Sequence, residues 1–246
     1  MAKIQLRDTK IYLQDGLAGT AAVNDASGVA ATDTSVTLDA VALNTAATTT
    51  IPVGARLTFA SDPTIYTVTA VTGAAPSTAV TFTPAKVAPT APDDAVITFL
   101  PQRLLIKIGE GDLSWSESRE FIYDRDRDVL DTVRQGQDQP VSVDLSFTFE
   151  YVTAQTAHPP TPVDALNRFG NASAWVSSSS DLCEPYAVDL IVIHCVPCGT
   201  DQDQELLFPD FRYESLDYSI ADAAISVSGQ CNTTRITTVR SDNASC

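Results

Sequence analysis

The chain has 246 residues, of which 44% are hydrophobic and 19% are charged. A chain of this length can bury a full core, and these proportions belong to a folded protein, not to a disordered or collagen-like one. The formal net charge of −16 excludes a protein that wraps nucleic acid, because neutralising phosphates requires clustered lysine and arginine. The sequence has no run of about 18 apolar residues, which excludes a helical membrane span.

Residues 1–8 mix apolar and charged side chains, so they lack the unbroken apolar region of a signal peptide. We therefore expect synthesis in a cytosol, without export by the standard route. The acidic balance leaves two interpretations open: it serves solubility, or it forms a surface that stays near DNA without adhering to it.

Composition changes sharply along the chain. From Leu17 to Leu100 it is dominated by Ala, Thr and Val, and its only basic residues are Arg56 and Lys86. Charged residues crowd the segment that follows. This shift predicts a module, residues 17–100, inserted into a host domain made of residues 1–16 and 101–246.

The inserted module has the pattern of a β protein. Its β-branched runs predict five short strands at Ser35–Asp39, Arg56–Phe59, Ile65–Val71, Ala79–Thr83 and Ala95–Phe99. Close turns, among them one at Asp62-Pro63, separate these strands. Five short strands with close turns predict a small β-barrel or β-sandwich.

The host domain also has mainly strand patterns. The predicted strands are Arg103–Gly109, Leu113–Tyr123, Val141–Val152, Ala187–Val196, Glu205–Tyr213 and Ala224–Gly229. Between the second and third of these, a bend is predicted at Asp124–Asp128 and a turn at Gln135–Asp138. In the strand from Val141, apolar residues alternate with Ser142, Asp144 and Ser146, which indicates one buried and one exposed face.

One helix is predicted. Thr161 and Pro162 can open it, Gly170 can end it, and its core-facing residues are expected to be Ala165, Leu166 and Phe169. The sequence therefore predicts an all-β protein with one short helix.

The sequence offers little support for catalysis. It has two histidines, His158 and His194, and it has no nucleophile elbow, phosphate-binding glycine loop or paired metal-binding histidine motif. We therefore expect a protein that is not an enzyme and that needs no cofactor or metal.

The five cysteines leave three alternatives open. Cys195 and Cys198 form a C-x-x-C motif, but zinc would need four ligands. Free thiols are the favoured interpretation for a chain made in a cytosol. A disulfide would join Cys198 to Cys183 or to Cys231, and a metal site is the third alternative.

A series of short segments resembles one protein family. The segments are Ile106–Leu113 leading to Glu117–Arg119, then Leu130–Gly136, Pro140–Tyr151, Pro162–Leu166, Cys183–Asp189, Phe208–Ser215 and Ile225–Asn232. Each is weak alone, but their order and spacing from Gln102 to Thr234 resemble the tail tube (major tail) proteins of long-tailed bacteriophages. The module at 17–100 departs from the family pattern, because such proteins often lack an insert.

The resemblance implies a fold and an assembly. It implies a tail-tube β-sandwich with a flanking helix, here carrying an inserted small all-β domain. Subunits would form hexameric rings that stack, and hairpins would close a continuous barrel around an acidic lumen for the genome. The expected partners are further copies of the chain, with tape measure, tail terminator and baseplate or tail-tip proteins, and DNA would pass without specific binding. The expected location is the virion, after assembly in the host cytoplasm and without contact to a membrane.

Strand position then suggests which charged residues serve the lumen or the contacts between subunits. The candidates are Asp112, Glu117, Arg119, Asp124, Arg125, Asp126, Arg127, Asp144 and Glu150. We expect the mixed-sign array Asp124–Asp128 to dock against a neighbouring subunit or ring, because such arrays fix register. Reversing the charges of Arg125 and Arg127 is then expected to impair polymerisation without unfolding the monomer.

A second class of function fits the same composition. A phage decoration protein or a carbohydrate-binding β-sandwich would use the inserted module and would show aromatic side chains on one exposed face. The module has four aromatic residues, which occupy mostly alternating, core-like positions: Phe59, Tyr66, Phe82 and Phe99.

Overall fold

A computed structural model describes residues 8–45, 50–60, 62–74, 77–87, 89–109, 112–148, 160–181, 183–196 and 202–241. Within these ranges the chain forms sixteen β-strands, one α-helix and one 3₁₀ helix. The prediction of an all-β protein with one short helix is confirmed. No helix in the described part of the chain is long and apolar enough to cross a membrane.

The chain divides into two compact units. The first comprises Met1–Leu13, Leu105–Gln155 and Ala187–Cys246, and the second comprises Gln14–Leu104 and Thr156–Tyr186. The boundaries expected from composition, with 17–100 inserted between 1–16 and 101–246, stay a prediction about how the chain is organised.

The second unit contains a closed six-stranded barrel. Its strands are β2 (Gly19–Val23), β3 (Ser35–Leu43), β4 (Arg56–Phe59), β5 (Asp62–Ala74), β6 (Ser77–Thr83) and β7 (Val96–Leu100). They follow one another around the barrel as β2-β3-β6-β5-β4-β7. β2 was not predicted, since its sequence Gly-Thr-Ala-Ala-Val has few β-branched residues.

In most of the barrel strands every second side chain is buried, and these side chains fill the interior of the barrel. In β6 the side chains of Thr78, Val80 and Phe82 are buried, and those between them are exposed or half-buried. The four aromatic residues of the module, Phe59, Tyr66, Phe82 and Phe99, are all buried, as their alternating positions predicted. Three of these rings meet edge to face, at centroid distances of 5.2 to 5.8 Å.

The barrel also buries an ion pair. Lys86 Nζ lies 2.7 Å from Asp62 Oδ2 and 4.9 Å from the centre of the Phe59 ring. The ammonium also donates to two backbone carbonyls, those of Val87 and Pro89. Tyr66 donates its hydroxyl to the same carboxylate oxygen at 2.5 Å. Burial raises the pKa of Asp62, but hydrogen bonds led by the one from Lys86 outweigh burial and hold that pKa below its ordinary value.

The helix α1 (Pro162–Asn167) begins as predicted. Thr161 is the N-cap, its hydroxyl accepts from the Asp164 N–H, and the Asp164 carboxylate accepts from the Thr161 N–H. This is a capping box, with proline in the first turn. Ala165 and Leu166 are buried, as expected.

The end of α1 differs from the prediction. The helix stops at Asn167, and Arg168 takes a left-handed conformation with φ of 51° as the C-cap. Phe169 therefore leaves the helical face, and its side chain is 73% exposed, so its predicted core position is wrong. Gly170 does not end the helix but begins a 3₁₀ helix, Gly170–Ala172.

A buried carboxylate joins three parts of the second unit. Asp15 accepts hydrogen bonds from the backbone N–H groups of Gln102 (2.6 Å), Leu17 (3.2 Å) and Val176 (3.4 Å). The Gln102 side-chain amide adds a fourth at 3.1 Å. Burial raises the pKa of Asp15 to about 6, although these hydrogen bonds act in the opposite direction.

The large sheet lies mainly in the first unit. In spatial order its strands are β8 (Arg103–Ile106), β1 (Thr9–Gln14), β13 (Val188–His194), β14 (Asp203–Ser219), β15 (Ala224–Cys231), β12 (Val141–Thr148) and β9 (Leu113–Ser116). The eighth strand, β16 (Thr237–Ser241), pairs with β14. One face of the sheet is buried, because Val141, Val143, Leu145 and Phe147 of β12 all point into the core, as the alternation predicted.

The long strand predicted at Leu113–Tyr123 is wrong. The chain leaves the large sheet after Ser116, and β10 (Arg119–Asp126) pairs with β11 (Val129–Asp138) in a separate two-stranded sheet. Glu117 and Arg119 therefore do not extend the face of Leu113.

The bend predicted at Asp124–Asp128 is narrower than expected. Strand β10 runs to Asp126, and the reversal is made by Arg127 and Asp128, whose φ values are 48° and 64°. Two consecutive left-handed residues form the tight turn that suits a hairpin. The turn predicted at Gln135–Asp138 is wrong, because β11 continues through these residues.

Candidate functional site

The exposed face of the large sheet is built from serine and aspartate. On β12, Ser142, Asp144 and Ser146 point outward between buried apolar residues. The register brings Asp144 beside Ser114 of β9 and Ser228 of β15, and it brings Ser146 beside Ser226. The next strand, β14, places Ser215 and Asp217 beside Ser228 and Ser226.

We call this surface the serine–aspartate face: Asp112, Ser114, Asp144, Ser146, Ser215, Asp217, Ser226 and Ser228. These residues line a shallow groove of about 320 Å³, in which no lysine or arginine takes part. The hydroxyls of Ser215 and Ser228 are hydrogen-bonded to each other at 2.8 Å. The result is an acidic groove lined by short polar side chains.

The serine–aspartate face has few kinds of chemical group. It presents carboxylates and hydroxyls but no histidine or cysteine. Across the described residues, no group of three or more His, Cys, Asp or Glu side chains could hold a metal ion.

The second candidate surface is the hairpin β10–β11, whose two faces differ. Paired residues share a face, and residues alternate along β10. In β11 a register shift between the pairs Asp124–Thr132 and Arg125–Leu130 interrupts the alternation, so Leu130 and Val133 share a face. Phe121 pairs with Gln135, Tyr123 with Val133 and Arg125 with Leu130. We call the face of Phe121, Tyr123, Leu130 and Val133 the apolar hairpin face; these four side chains are between 50% and 57% exposed.

The opposite face of the hairpin is mainly polar. Asp124 lies across from Thr132, and its carboxylate is 2.6 Å from Arg134, which lies across from Ile122. Two apolar residues share this face, Ile122 and Val129, with exposures of 46% and 68%. The pair Asp124–Thr132 separates them, so they form no continuous patch.

The structure divides the candidate residues into two groups. Asp112 and Asp144 lie together on the serine–aspartate face. Five others lie on the hairpin or its turn: Arg119, Asp124, Arg125, Asp126 and Arg127. Glu117 lies in the segment that connects β9 to β10, and its carboxylate accepts a hydrogen bond from the Ile236 N–H at 3.1 Å. Glu150 lies outside the described residues.

Sequence reasoning missed the part of the serine–aspartate face that lies on β14. Asp217 was not a candidate, because the strand was expected to end at Tyr213, whereas β14 continues to Ser219. The signal that could have found it is the alternation Ser215, Asp217 and Ser219, which continues the period of a strand.

The cysteines differ in state. Cys183 is an exposed free thiol and Cys231 is a buried free thiol, so the proposed disulfide between Cys198 and either of them is not formed. Burial, together with the nearby carboxylates of Asp189 and Asp210, raises the pKa of Cys231 to about 12 and keeps the thiol neutral. Cys195 is disulfide-bonded, so a free thiol is the wrong expectation there. Cys198 itself lies outside the described residues.

His194 is partly buried and contacts the side chain of Thr9. Nδ1 of His194 lies 2.8 Å from the Thr9 hydroxyl, and burial lowers the pKa of its ring. His158 lies outside the described residues.

Comparison with known proteins gave no match: no family model, no curated protein and no solved structure is significantly similar to the chain. The geometry of the two surfaces is therefore the basis for assigning a function.

Proposed function

We propose that the chain is a structural subunit of a phage tail tube, in which further copies join it in stacked hexameric rings around a channel for the genome. The observation that carries this proposal is the serine–aspartate face. It is a broad sheet surface with three aspartates and no basic residue in its groove. A wall of this kind repels phosphates within the screening length of roughly 8 Å, so DNA can slide past without binding.

The ends of the large sheet support assembly through copies of the chain. In the described residues, β8 and β9 are the two ends of its main strand order, and β16 pairs with β14 alone. An outermost strand offers backbone N–H and C=O groups to another strand, and closure into a barrel removes such edges. Pairing β9 of one copy with an outer strand of the next would extend the serine–aspartate face around a lumen.

The proposed setting follows from this role. The subunit would reside in the virion after assembly in the host cytoplasm. Its partners would be other copies and, at the ends and inside of the tube, the tail terminator, the baseplate or tail-tip proteins and the tape measure protein. The proposal includes no catalytic step and no cofactor.

A decoration or sugar-binding role of the barrel has weaker support. Such a role would rest on aromatic side chains exposed on one face, whereas Phe59, Tyr66, Phe82 and Phe99 are all buried. They stabilise the interior of the barrel instead.

Negative-stain microscopy of the purified chain over a range of protein and salt concentrations tests the proposal. We expect stacked rings or hollow tubes of uniform diameter. A monomer that persists under all conditions would contradict it.

The channel is tested by placing a positive charge on the serine–aspartate face. Tubes of Asp144→Lys are expected to co-sediment with linear double-stranded DNA, because six lysines per ring would line the lumen. The matched control is Asp39→Lys, which makes the same charge change on the barrel strand β3. Equal DNA binding by both variants would show that Asp144 does not line the channel.

A further inference from the structure

Asp15 is a buried carboxylate whose hydrogen bonds come from uncharged groups. Its side chain is fully buried, and its four donors are three backbone N–H groups and the side-chain amide of Gln102. The three segments that meet at Asp15 are residues 14–18, 101–103 and 175–178. They contain one other charged residue, Arg103, whose guanidinium donates to the Gln14 side chain. An ionised Asp15 therefore loses its hydration without gaining a cation, which favours the protonated form.

The backbone of residues 175–178 lies directly against that of residues 15 and 16. The Gly16 N–H donates to the Val176 carbonyl at 3.0 Å, and a Cβ at Gly16 would overlap the carbonyl oxygen of Ser177. The Val176 N–H donates to the Asp15 carboxylate at 3.4 Å, the longest of the four hydrogen bonds. Trp175 is buried, and Val176 packs against the barrel core. Opening of segment 175–178 would therefore expose the Asp15 carboxylate to water.

We propose that Asp15 acts as a pH-sensitive switch: protonation of its carboxyl group holds segment 175–178 more firmly against the barrel. The closed state buries the carboxylate, whereas the open state hydrates it. The closed state therefore binds a proton more tightly than the open state does, and by linkage a bound proton favours closing. The switch belongs to the second compact unit and does not depend on the proposed tube.

The protonated state has a hydrogen-bond acceptor in Gln102. All four groups around the carboxylate are donors, so a new O–H on Oδ2 needs an acceptor. The Gln102 amide provides one when it turns over, because its carbonyl oxygen then replaces its NH2 group. Oδ1 goes on accepting from the backbone N–H groups of Gln102 and Leu17. The bond from Val176 to Oδ2 weakens, but burial raises the pKa of Asp15 to about 6 in spite of all these bonds.

The other charged and titratable groups at this site keep their charge near neutral pH. Burial first, and the charge of Asp15 second, raise the pKa of Tyr186, so its phenol stays neutral. Arg168 lies over the Tyr186 ring at 5.9 Å, and Arg56 donates to the Pro101 carbonyl. Arginine is always protonated in this range, and the same holds for Arg103. A local change between pH 5 and pH 7.5 therefore reports on Asp15.

Hydrogen–deuterium exchange measured by mass spectrometry tests the switch on the full chain. Exchange of the peptides that contain Gly16 and Val176 is divided by the intrinsic exchange rate at each pH, which leaves the opening equilibrium. The pKa is about 6 in the closed state and 3.8 for a hydrated carboxyl group. We therefore expect opening to increase about tenfold from pH 5 to pH 7.5. A peptide from β12, in the other compact unit, shows whether the increase is local.

Two matched variants assign the response to Asp15. Asp15→Asn resembles the protonated group, since its amide can donate to the Gln102 side-chain oxygen. Its opening is expected to change by less than about twofold over the same pH range. Asp39→Asn makes the same substitution on β3 and is expected to keep the tenfold increase.

Each outcome decides for or against the switch. An increase that occurs at Gly16 and Val176 in the wild type and in Asp39→Asn, but not in Asp15→Asn, supports it. A wild-type chain whose opening does not increase with pH overturns it, and this result needs no variant to fold. An equal increase in Asp15→Asn overturns it because another group is then responsible. An equal increase in β12 overturns it because the response is then global.

Discussion

Single residues in the barrel show why some sequence signals have more than one structural meaning. Asp62 precedes a proline and was expected in a turn, and Lys86 stood out only as one of two basic residues in the module. The fold places Lys86 Nζ against Asp62 Oδ2, and both side chains are buried. Their separation of 24 residues gives no local pattern, so only the closure of the barrel pairs them.

The buried pair leads to a prediction for Lys86→Met. The variant leaves the Asp62 carboxylate buried without its cation, and breaking a buried pair from one side costs about 3 to 5 kcal/mol. We expect that loss in the free energy of unfolding, measured with urea at pH 7. The double variant Lys86→Met with Asp62→Asn is the control, and it is expected to be more stable than the single one. A single variant as stable as the wild type would show that the pair is not formed.

The pH dependence of the same variant has a defined sign. In the wild type the pKa of Asp62 is held below its ordinary value, so its contribution is present above the unfolded pKa of 3.8 and is lost as the pH falls below that value. In Lys86→Met, the leading hydrogen bond is gone and burial raises that pKa. The deficit of the variant relative to the wild type should therefore shrink as the pH is lowered from 7 to 4.

At the level of elements, alternation predicted which residues share a face but not which strands pair. Strand β12 was predicted with its buried and exposed sides because its period of two is local. The segment from Leu113 to Tyr123 was predicted as one strand, yet β9 pairs with β12 and β10 pairs with β11. Pairing depends on contacts between distant segments, so the separate hairpin and its apolar face could not be derived from period alone.

The hairpin turn leads to a prediction that separates conformation from charge. Replacing Arg127→Asn and Asp128→Gly removes both turn charges and provides residues that favour the φ values of 48° and 64°. We expect the hairpin to gain about 1 kcal/mol and the concentration needed for assembly to stay the same or fall. The control, Arg127→Thr with Asp128→Val, removes the same charges with side chains that resist left-handed φ. If both variants assemble poorly to the same extent, the turn charges themselves are needed for assembly.

At the scale of the whole molecule, the six strands of the closed barrel enclose a core of their own. The buried residues of that core all lie between Leu17 and Phe99. The chain enters and leaves the barrel at neighbouring points, because the Asp15 N–H donates to the Gln102 carbonyl at 3.1 Å and the Gln102 N–H donates to the Asp15 carboxylate. Adjacent entry and exit points are what an insertion requires. Composition could not reveal that Val176 also packs against this core, since that contact joins distant parts of the sequence.

This organisation predicts that the fragment 17–100 folds alone. It keeps all six strands, so no strand edge is left open, and it keeps the buried pair Lys86–Asp62. The fragment loses Val176, a partly buried side chain that packs against this core, at a cost of about 1 kcal/mol. We expect a monomer with a β-type circular dichroism spectrum and one cooperative unfolding transition in urea. The fragment carrying Lys86→Met, which removes the barrel's ion pair, should unfold at a lower urea concentration. An unfolded fragment would contradict the prediction and would mean that the barrel depends on the segment Thr156–Tyr186, which belongs to the same compact unit.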